Sequence, residues 1–110
     1  MVDIKEFSKY TPNDFDKSVL RSTTEEMYNR FGDMQYFIVM EECSELIKEV
    51  SKHVRYGNNN LSLTEEIADV LICIDMILYN TNISTENIKQ MMAYKINRLR
   101  NKINANEVME

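Results

Sequence analysis

The chain has 110 residues and carries 18 acidic against 13 basic side chains, a formal net charge of −5. This length is typical of one domain, and the acidic balance argues against binding polymeric nucleic acid, which requires a basic surface. The N-terminus has no apolar signal core, and no run approaches the roughly 20 apolar residues that span a membrane. The two cysteines lie in apolar segments without paired spacing, which is typical of reduced thiols. We therefore expect a cytoplasmic protein with no membrane partner.

The composition favours an all-α fold. Only 2 Gly and 1 Pro interrupt the chain, and residues that favour helices are abundant. A domain of this size buries only about 60–65% of its unfolded surface. We therefore expect an antiparallel bundle of four to five helices, completed by homo-oligomerisation. A single domain is predicted, with an N-terminal arm and helix over 1–32, a core over 33–103 that carries the motifs, and a frayed tail over 104–110.

The N-terminal part contains one predicted helix, with a division into two at Ser22, Thr23 and Thr24 as the alternative. Thr11 followed by Pro12 indicates a helix start. Apolar residues recur at multiples of four from Phe15 to Phe31, and Gly32 is expected to end the helix.

The clearest helical pattern covers residues 34 to about 56, with Asp33 as the expected N-cap. Its apolar stripe comprises Tyr36, Val39, Cys43, Leu46, Ile47, Val50 and Val54. One edge of that stripe carries Glu42, Glu45, Glu49, Gln35 and His53. These acidic residues therefore border the core rather than lie on the solvated face.

A second apolar segment covers residues 63–80, and Ser62 is expected to begin it with a capping box. This helix is apolar nearly all round, so we expect it to be central and covered on every side. Glu66 and Asp69 are costly residues in its first turns, because burying an unpaired carboxylate is unfavourable. Asp75 lies on another face, where a site, an interface or a hydrogen-bonded role remains open.

Two carboxylate pairs stand out on these helices, Glu42 with Glu45 and Glu66 with Asp69. The i, i+3 spacing puts both members of a pair on one helix face. Four carboxylates in one cleft repel one another unless a cation lies between them. An all-oxygen ligand set favours Mg²⁺, with Mn²⁺ as a substitute. Surface or interface salt bridges are the alternative.

A shared site places a condition on the connection between the two helices. A tight hairpin would put Asp69 opposite Val50 rather than opposite Glu45, a mismatch of about 7 Å along the axis. We therefore expect the connection to run back along the first of the two helices, or that helix to end before Tyr56.

A last helix is predicted over residues 85 to about 104, with Ser84 as its N-cap. Its apolar stripe comprises Ile88, Met92, Ile96, Leu99 and Ile103. Lys95, Arg98 and Lys102 form a basic row beside that stripe.

The paired acidic motif resembles that of the MazG-type all-α nucleoside triphosphate pyrophosphohydrolases. It consists of Glu-Glu-x-x-Glu over 41–45, followed about twenty residues later by Glu-x-x-Asp over 66–69. The resemblance covers residues 33–103. It implies a Mg²⁺-dependent hydrolase that cleaves between the α and β phosphates of an NTP or dNTP, giving a nucleoside monophosphate and pyrophosphate. It also implies a homodimer or homotetramer.

The resemblance further implies roles for single residues. Glu42, Glu45, Glu66 and Asp69 would hold the metal ion. Glu41 or Glu45 would act in catalysis by taking a proton from the attacking water.

The substrate-binding residues are predicted less directly. Lys95 and Arg98 fit the basic positions that approach the phosphates in the family, and Gln35 is a further candidate for substrate binding. Tyr36, Phe37 and Tyr94 are the aromatic candidates near a base. A phosphoribosyl-ATP pyrophosphatase and a non-catalytic, metal-binding helical dimer that acts as a regulator are the alternative functions.

Overall fold

The structure is a computed structural model that describes residues 2–106. This part of the chain is a succession of helices. They are α1 (Ile4–Phe7), α2 (Lys17–Phe31), α3 (Gln35–Arg55), α4 (Asn60–Thr81) and α5 (Thr85–Asn104), with 3₁₀ turns at Pro12–Asp14 and Gly32–Met34. No strand occurs within residues 2–106, which confirms the all-α prediction. Residues 107–110 of the predicted frayed tail lie outside the described residues.

The start and end of α2 follow from local hydrogen bonds. Thr11 and Asp14 form a capping box, in which the Thr11 amide donates to the Asp14 carboxylate over 2.7 Å, but it begins only a 3₁₀ turn. Asp16 begins α2, because its carboxylate accepts from the Ser18 amide at 2.8 Å. Gly32 ends α2 with φ +55°, a conformation that favours glycine.

The helices α3 and α4 form the main packed pair, joined by residues 56–59. Asn59 reaches back along α3, and its amide donates to the backbone carbonyl and to the carboxylate of Glu49, each over 2.9 Å. α4 begins at Asn60, so Ser62 lies inside the helix and the predicted capping box there is wrong. Asp33 is likewise not an N-cap, since a 3₁₀ turn leads into α3.

α2 packs across α4 through a polar contact in a largely apolar helix. Asp75 accepts hydrogen bonds from Arg21 at 2.9 Å and from Thr24 at 2.8 Å. Thr24 is only 1% exposed, and the Arg21 guanidinium also lies 5.5 Å from the ring centroid of Tyr79. Asp75 therefore has the hydrogen-bonded role among the three that the sequence left open.

A single chain leaves much of its apolar surface uncovered. Within residues 2–106, the buried apolar side chains are Cys73 and Met76, whereas Leu71 of α4 is 61% exposed. The expectation that α4 is covered on every side is therefore wrong for one protomer. The helix α5 makes no contact with another helix comparable to those of α2, α3 and α4. The radius of gyration is 17.0 Å, against about 13 Å for a compact domain of this length.

We expect Asp75→Ala to lower the free energy of unfolding by about 2 kcal/mol, because Arg21 and Thr24 would lose their shared acceptor. Urea unfolding followed by circular dichroism measures the change. Glu86→Ala is the matched control, since its 3.7 Å pair with Lys89 is highly exposed and should contribute little. Equal losses in both variants would contradict the assignment of Asp75 as the anchor of α2.

Candidate metal centre

Three carboxylates from two helices converge. Glu42 of α3 and Glu66 and Asp69 of α4 each offer an oxygen atom, and these atoms lie within 4.8 Å of one another. Glu66 and Asp69 share a face because they are one turn apart. The two predicted acidic pairs therefore meet within one protomer, and three of their four members form the cluster.

The connection between α3 and α4 sets the alignment of the two helices that brings these carboxylates together. Asn59 is bonded to Glu49, six residues before the end of α3 at Arg55. The chain therefore doubles back along α3 before α4 begins, as the spacing of the acidic pairs requires. This shift brings Asp69 opposite Glu42.

Glu45 lies one turn beyond Glu42 on α3 and is half-buried. It is outside the group of three, but its charge contributes to raising the pKa of Glu66. Glu45 therefore adds negative charge near Glu66 but is not one of the three converging carboxylates.

Burial and mutual repulsion change the acidity of the cluster. Burial raises the pKa of Glu42 to about 7, with further contributions from the Asp69, Glu66 and Glu41 carboxylates. Burial also raises the pKa of Glu66, and the negative charges of Asp69, Glu65 and Glu45 raise it further. In each case the negative charge is disfavoured. The cluster therefore favours binding of a proton or of a cation.

One oxygen of the cluster has no partner of its own. Glu66 is 9% exposed, and its Oε2 atom is buried without a hydrogen-bond donor among the described residues. A buried carboxylate oxygen of this kind is unfavourable unless a cation or a donor meets it. This atom fits a ligand of a hard cation.

Cys73 lies beside the carboxylates and limits the donor set. Burial raises the pKa of its thiol to about 11, and the charges of Glu42, Cys43 and Asp69 add to that effect. The thiol is therefore protonated at neutral pH in the metal-free protein, and its sulfur is not one of the three converging donor atoms. The available donors are oxygen atoms, which suits Mg²⁺ and Mn²⁺. The sequence did not indicate that this cysteine borders the site.

The other acidic-edge residues of α3 have structural contacts. The hydrogen bond from Asn59 lowers the pKa of Glu49, and the nearby Lys52 acts in the same direction. The Nδ1 atom of His53 lies 3.3 Å from the Asn59 amide oxygen. Glu41 is exposed on the outer side of the helix.

Gln35 begins α3 and lies about two helical turns before Glu42, at the end of the α3–α4 pair that is far from the connection. It has 0% exposure, and its side-chain oxygen accepts from Asn80 at 3.3 Å. Its Nε2 atom and the Oδ1 atom of Asn80 are buried without partners. A substrate would reach Gln35 only if the helices separated.

Lys95 and Arg98 lie on α5 and are exposed. Together with Leu99 and Lys102 they line a groove of about 260 Å³. The groove has walls from α5 alone, so the described chain does not bring these basic residues to the acidic cluster.

No family model, curated protein or solved structure matches the chain. The resemblance to the MazG-type enzymes therefore stays a prediction from the paired motif. Among residues 2–106, no helix is long and apolar enough to cross a membrane.

We expect the stability of the metal-free protein to fall as the pH rises from about 4.5 towards 7. The folded protein binds a proton at Glu42 with a pKa of about 7, against 4.5 for an ordinary glutamate, so the stabilisation is complete below 4.5 and lost as Glu42 ionises. Thermal unfolding in chelator at several pH values measures this slope. Glu42→Gln should flatten the dependence of the unfolding midpoint on pH. Glu26→Gln is the control and should retain this dependence, since Glu26 is exposed and paired with Arg30. An unchanged dependence in Glu42→Gln would contradict the assignment of the raised pKa to Glu42.

Proposed function

We propose that this protein is a Mg²⁺-dependent nucleotide pyrophosphohydrolase that converts an NTP or dNTP into a nucleoside monophosphate and pyrophosphate. The observation that carries the proposal is the convergence of Glu42, Glu66 and Asp69 around a buried Glu66 oxygen without a donor. The paired motif supports the same reaction, because it resembles that of the MazG-type enzymes.

The carboxylates provide the ligands for the cation. Glu42, Glu66 and Asp69 would hold Mg²⁺ or Mn²⁺, with Glu45 as the fourth ligand at the edge. When bound, such a cation neutralises phosphate charge and increases the acidity of water. Without it, the acidic cluster would repel a triphosphate.

The remaining chemistry belongs to the side chains around the cluster. Glu45 or Glu41 would take a proton from a water whose oxygen attacks the α phosphorus. The bond from the α phosphorus to the bridging oxygen then breaks, and the electron pair leaves with pyrophosphate. Lys95 and Arg98 do not reach the cluster within the described chain, so they would stabilise the charge of the leaving group only in an assembly that brings α5 to the cluster. The sequence contains no glycine-rich phosphate loop, so the phosphates must be held by the cation and these side chains.

Exposed apolar rows support assembly into a homodimer or homotetramer. Ile67, Leu71 and Ile74 of α4 are exposed at spacings of four and three. The outer side of α3 carries Phe37, Met40, Ile47 and Val54 at spacings of three and seven. Such rows are typical of helices that pack against other helices, and a second copy would cover them.

Turnover tests the reaction directly. We expect pyrophosphate release from at least one member of a panel of NTPs and dNTPs with Mg²⁺. Glu42→Gln and Asp69→Asn should each lower kcat by about 100-fold or more, because each removes a ligand needed in the transition state. Glu26→Gln is the control that should keep full activity. Retained turnover in both site variants would overturn the assignment of the site.

Metal binding is tested separately from turnover. We expect millimolar Mg²⁺ or Mn²⁺ to raise the midpoint of thermal unfolding by several degrees, since a ligand that binds only the folded state stabilises it. Asp69→Asn should remove most of this shift and Glu86→Gln should keep it. A shift without pyrophosphate release from any nucleotide would favour the non-catalytic regulator over the enzyme. No shift in the unmodified protein would contradict the metal site.

A further inference from the structure

The N-terminal arm, residues 2–10, lies outside the packed part of the protomer. Every residue from 3 to 19 is exposed, and α1 has no contact with another helix comparable to those among α2, α3 and α4. The arm has its own hydrogen bonds, since the Asp3 carboxylate accepts from two backbone amides of α1 at 3.0 and 3.3 Å. Its large apolar side chains recur every third residue and are between 52% and 63% exposed: Ile4, Phe7 and Tyr10. The arm therefore presents a short apolar row that the rest of the described chain does not cover.

A groove of about 320 Å³, here called the α2–α4 groove, lies between the start of α2 and the middle of α4. Its apolar lining consists of Phe15, Val19, Leu20 and Ile72. Phe15 and Val19 begin the row that recurs at multiples of four towards Phe31, a spacing typical of a helix face that packs against a partner. The structure packs α2 on α4 through Arg21 and Thr24 instead. Phe15 and Val19 are therefore left exposed.

The arm and the α2–α4 groove are also complementary in charge. Asp14 and Asp16 line the groove, and neither has an ion pair within residues 2–106. In the arm, Lys9 pairs with Glu6 at 3.0 Å, whereas the ammonium group of Lys5 has no partner among the same residues. The unpaired cation of the arm thus matches two acids of the groove that lack a cation.

The turn between the arm and α2 holds the arm away from the groove of its own chain. The Thr11 amide donates to the Asp14 carboxylate at 2.7 Å, and the Phe15 amide donates to the Pro12 carbonyl at 3.3 Å. Asp16 then caps α2, and no residue of the arm lines the groove. Folding the arm back onto its own groove would break the bonds of this turn. The arm of a second copy can enter the groove while the turn stays intact.

Two exchanged arms bury enough surface for a specific contact. Aromatic side chains bury about 150–250 Å² each when they are fully covered, so covering the three half-exposed side chains of the arm removes roughly 300 Å² from water. The groove loses a similar area, and a two-fold axis repeats the contact. The total is roughly 1,200 Å², which reaches the lower limit of stable protein interfaces.

We propose that the N-terminal arm of one copy docks in the α2–α4 groove of a second copy, which places its own arm in the groove of the first. Ile4, Phe7 and Tyr10 fill the apolar part of the groove, and Lys5 meets its acidic residues. The exchange explains why the apolar row of α2 is uncovered in a single chain. It goes beyond the function proposed above and does not depend on it, because neither the arm nor the groove contains a residue of the metal centre.

Disulfide trapping in the full-length protein tests the exchange. Phe7→Cys is combined in turn with Val19→Cys and with Ile72→Cys, and equal amounts of ¹⁴N- and ¹⁵N-labelled chains are mixed and oxidised with oxidised glutathione. We expect position 7 to link to position 19 or 72, and about half of these links should carry both isotopes, because copies pair at random. Links of one isotope only would place the arm on its own chain, and absence of a link would leave the groove without the arm. Either result would overturn the proposal.

A third pair of cysteines is the control for the trapping. Tyr56 is highly exposed on the connection between α3 and α4 and lies outside the groove. Phe7→Cys combined with Tyr56→Cys should therefore give few links. Linking as efficient as that to positions 19 and 72 would mean that the arm collides at random, which would also overturn the proposal.

Self-association without nucleotide gives a second measurement. Phe7→Asp should raise the Kd of self-association about 10-fold or more in sedimentation equilibrium, because it places a carboxylate in an apolar, acidic groove. Tyr56→Asp is the matched control and should leave the Kd unchanged. Both variants should keep their helicity by circular dichroism, since both side chains are exposed. A protein that stays monomeric, or an unchanged Kd in Phe7→Asp, would overturn the exchange. Association that depends on Phe7 without any pyrophosphate release would support the exchange and count against the hydrolase alone.

Discussion

The hydrogen bonds between Asn59 and Glu49 set the arrangement on which the candidate site depends. They hold the connection against α3, so α4 starts alongside the body of α3 instead of beyond its end. Each residue of α4 is thereby displaced along α3 relative to a tight hairpin. Without that displacement Glu66 and Asp69 would lie opposite a different turn of α3, and Glu42 would have no carboxylate partners.

The convergence of carboxylates is unfavourable by itself, and the rest of the structure maintains it. Burial raises the pKa of both Glu42 and Glu66, and a Glu66 oxygen has no donor. The anchoring of α2 on α4 by Asp75 is on another face and well satisfied. The hydrogen bonds of Asp75 are thus satisfied, whereas one oxygen of the acidic cluster has no donor, which is a pattern expected of a binding site.

The sequence predicted the helices well because their periodicity and caps are local. Gly32 and Ser84 act as expected, and the paired spacing of the acids indicated the cluster before any coordinates. Two features could not be predicted from local patterns. Asn59 bonds to Glu49, ten residues away, so α4 starts before the capping box at Ser62. The exposure of Leu71 on α4 depends on how α2 and α3 pack against that helix, which hydrophobic periodicity does not reveal.

The buried amides of Gln35 and Asn80 lie where α3 begins and α4 ends, and they affect the register in which these two helices pack. Gln35 and Asn80 share one hydrogen bond, and each keeps one polar atom without a partner. If α3 slid by one turn along α4, both amides would lose even that bond, at a cost of roughly 1–3 kcal/mol for each group left unpaired. An apolar pair would tolerate such sliding. The two amides therefore favour one register of α3 against α4 and destabilise registers shifted by one turn.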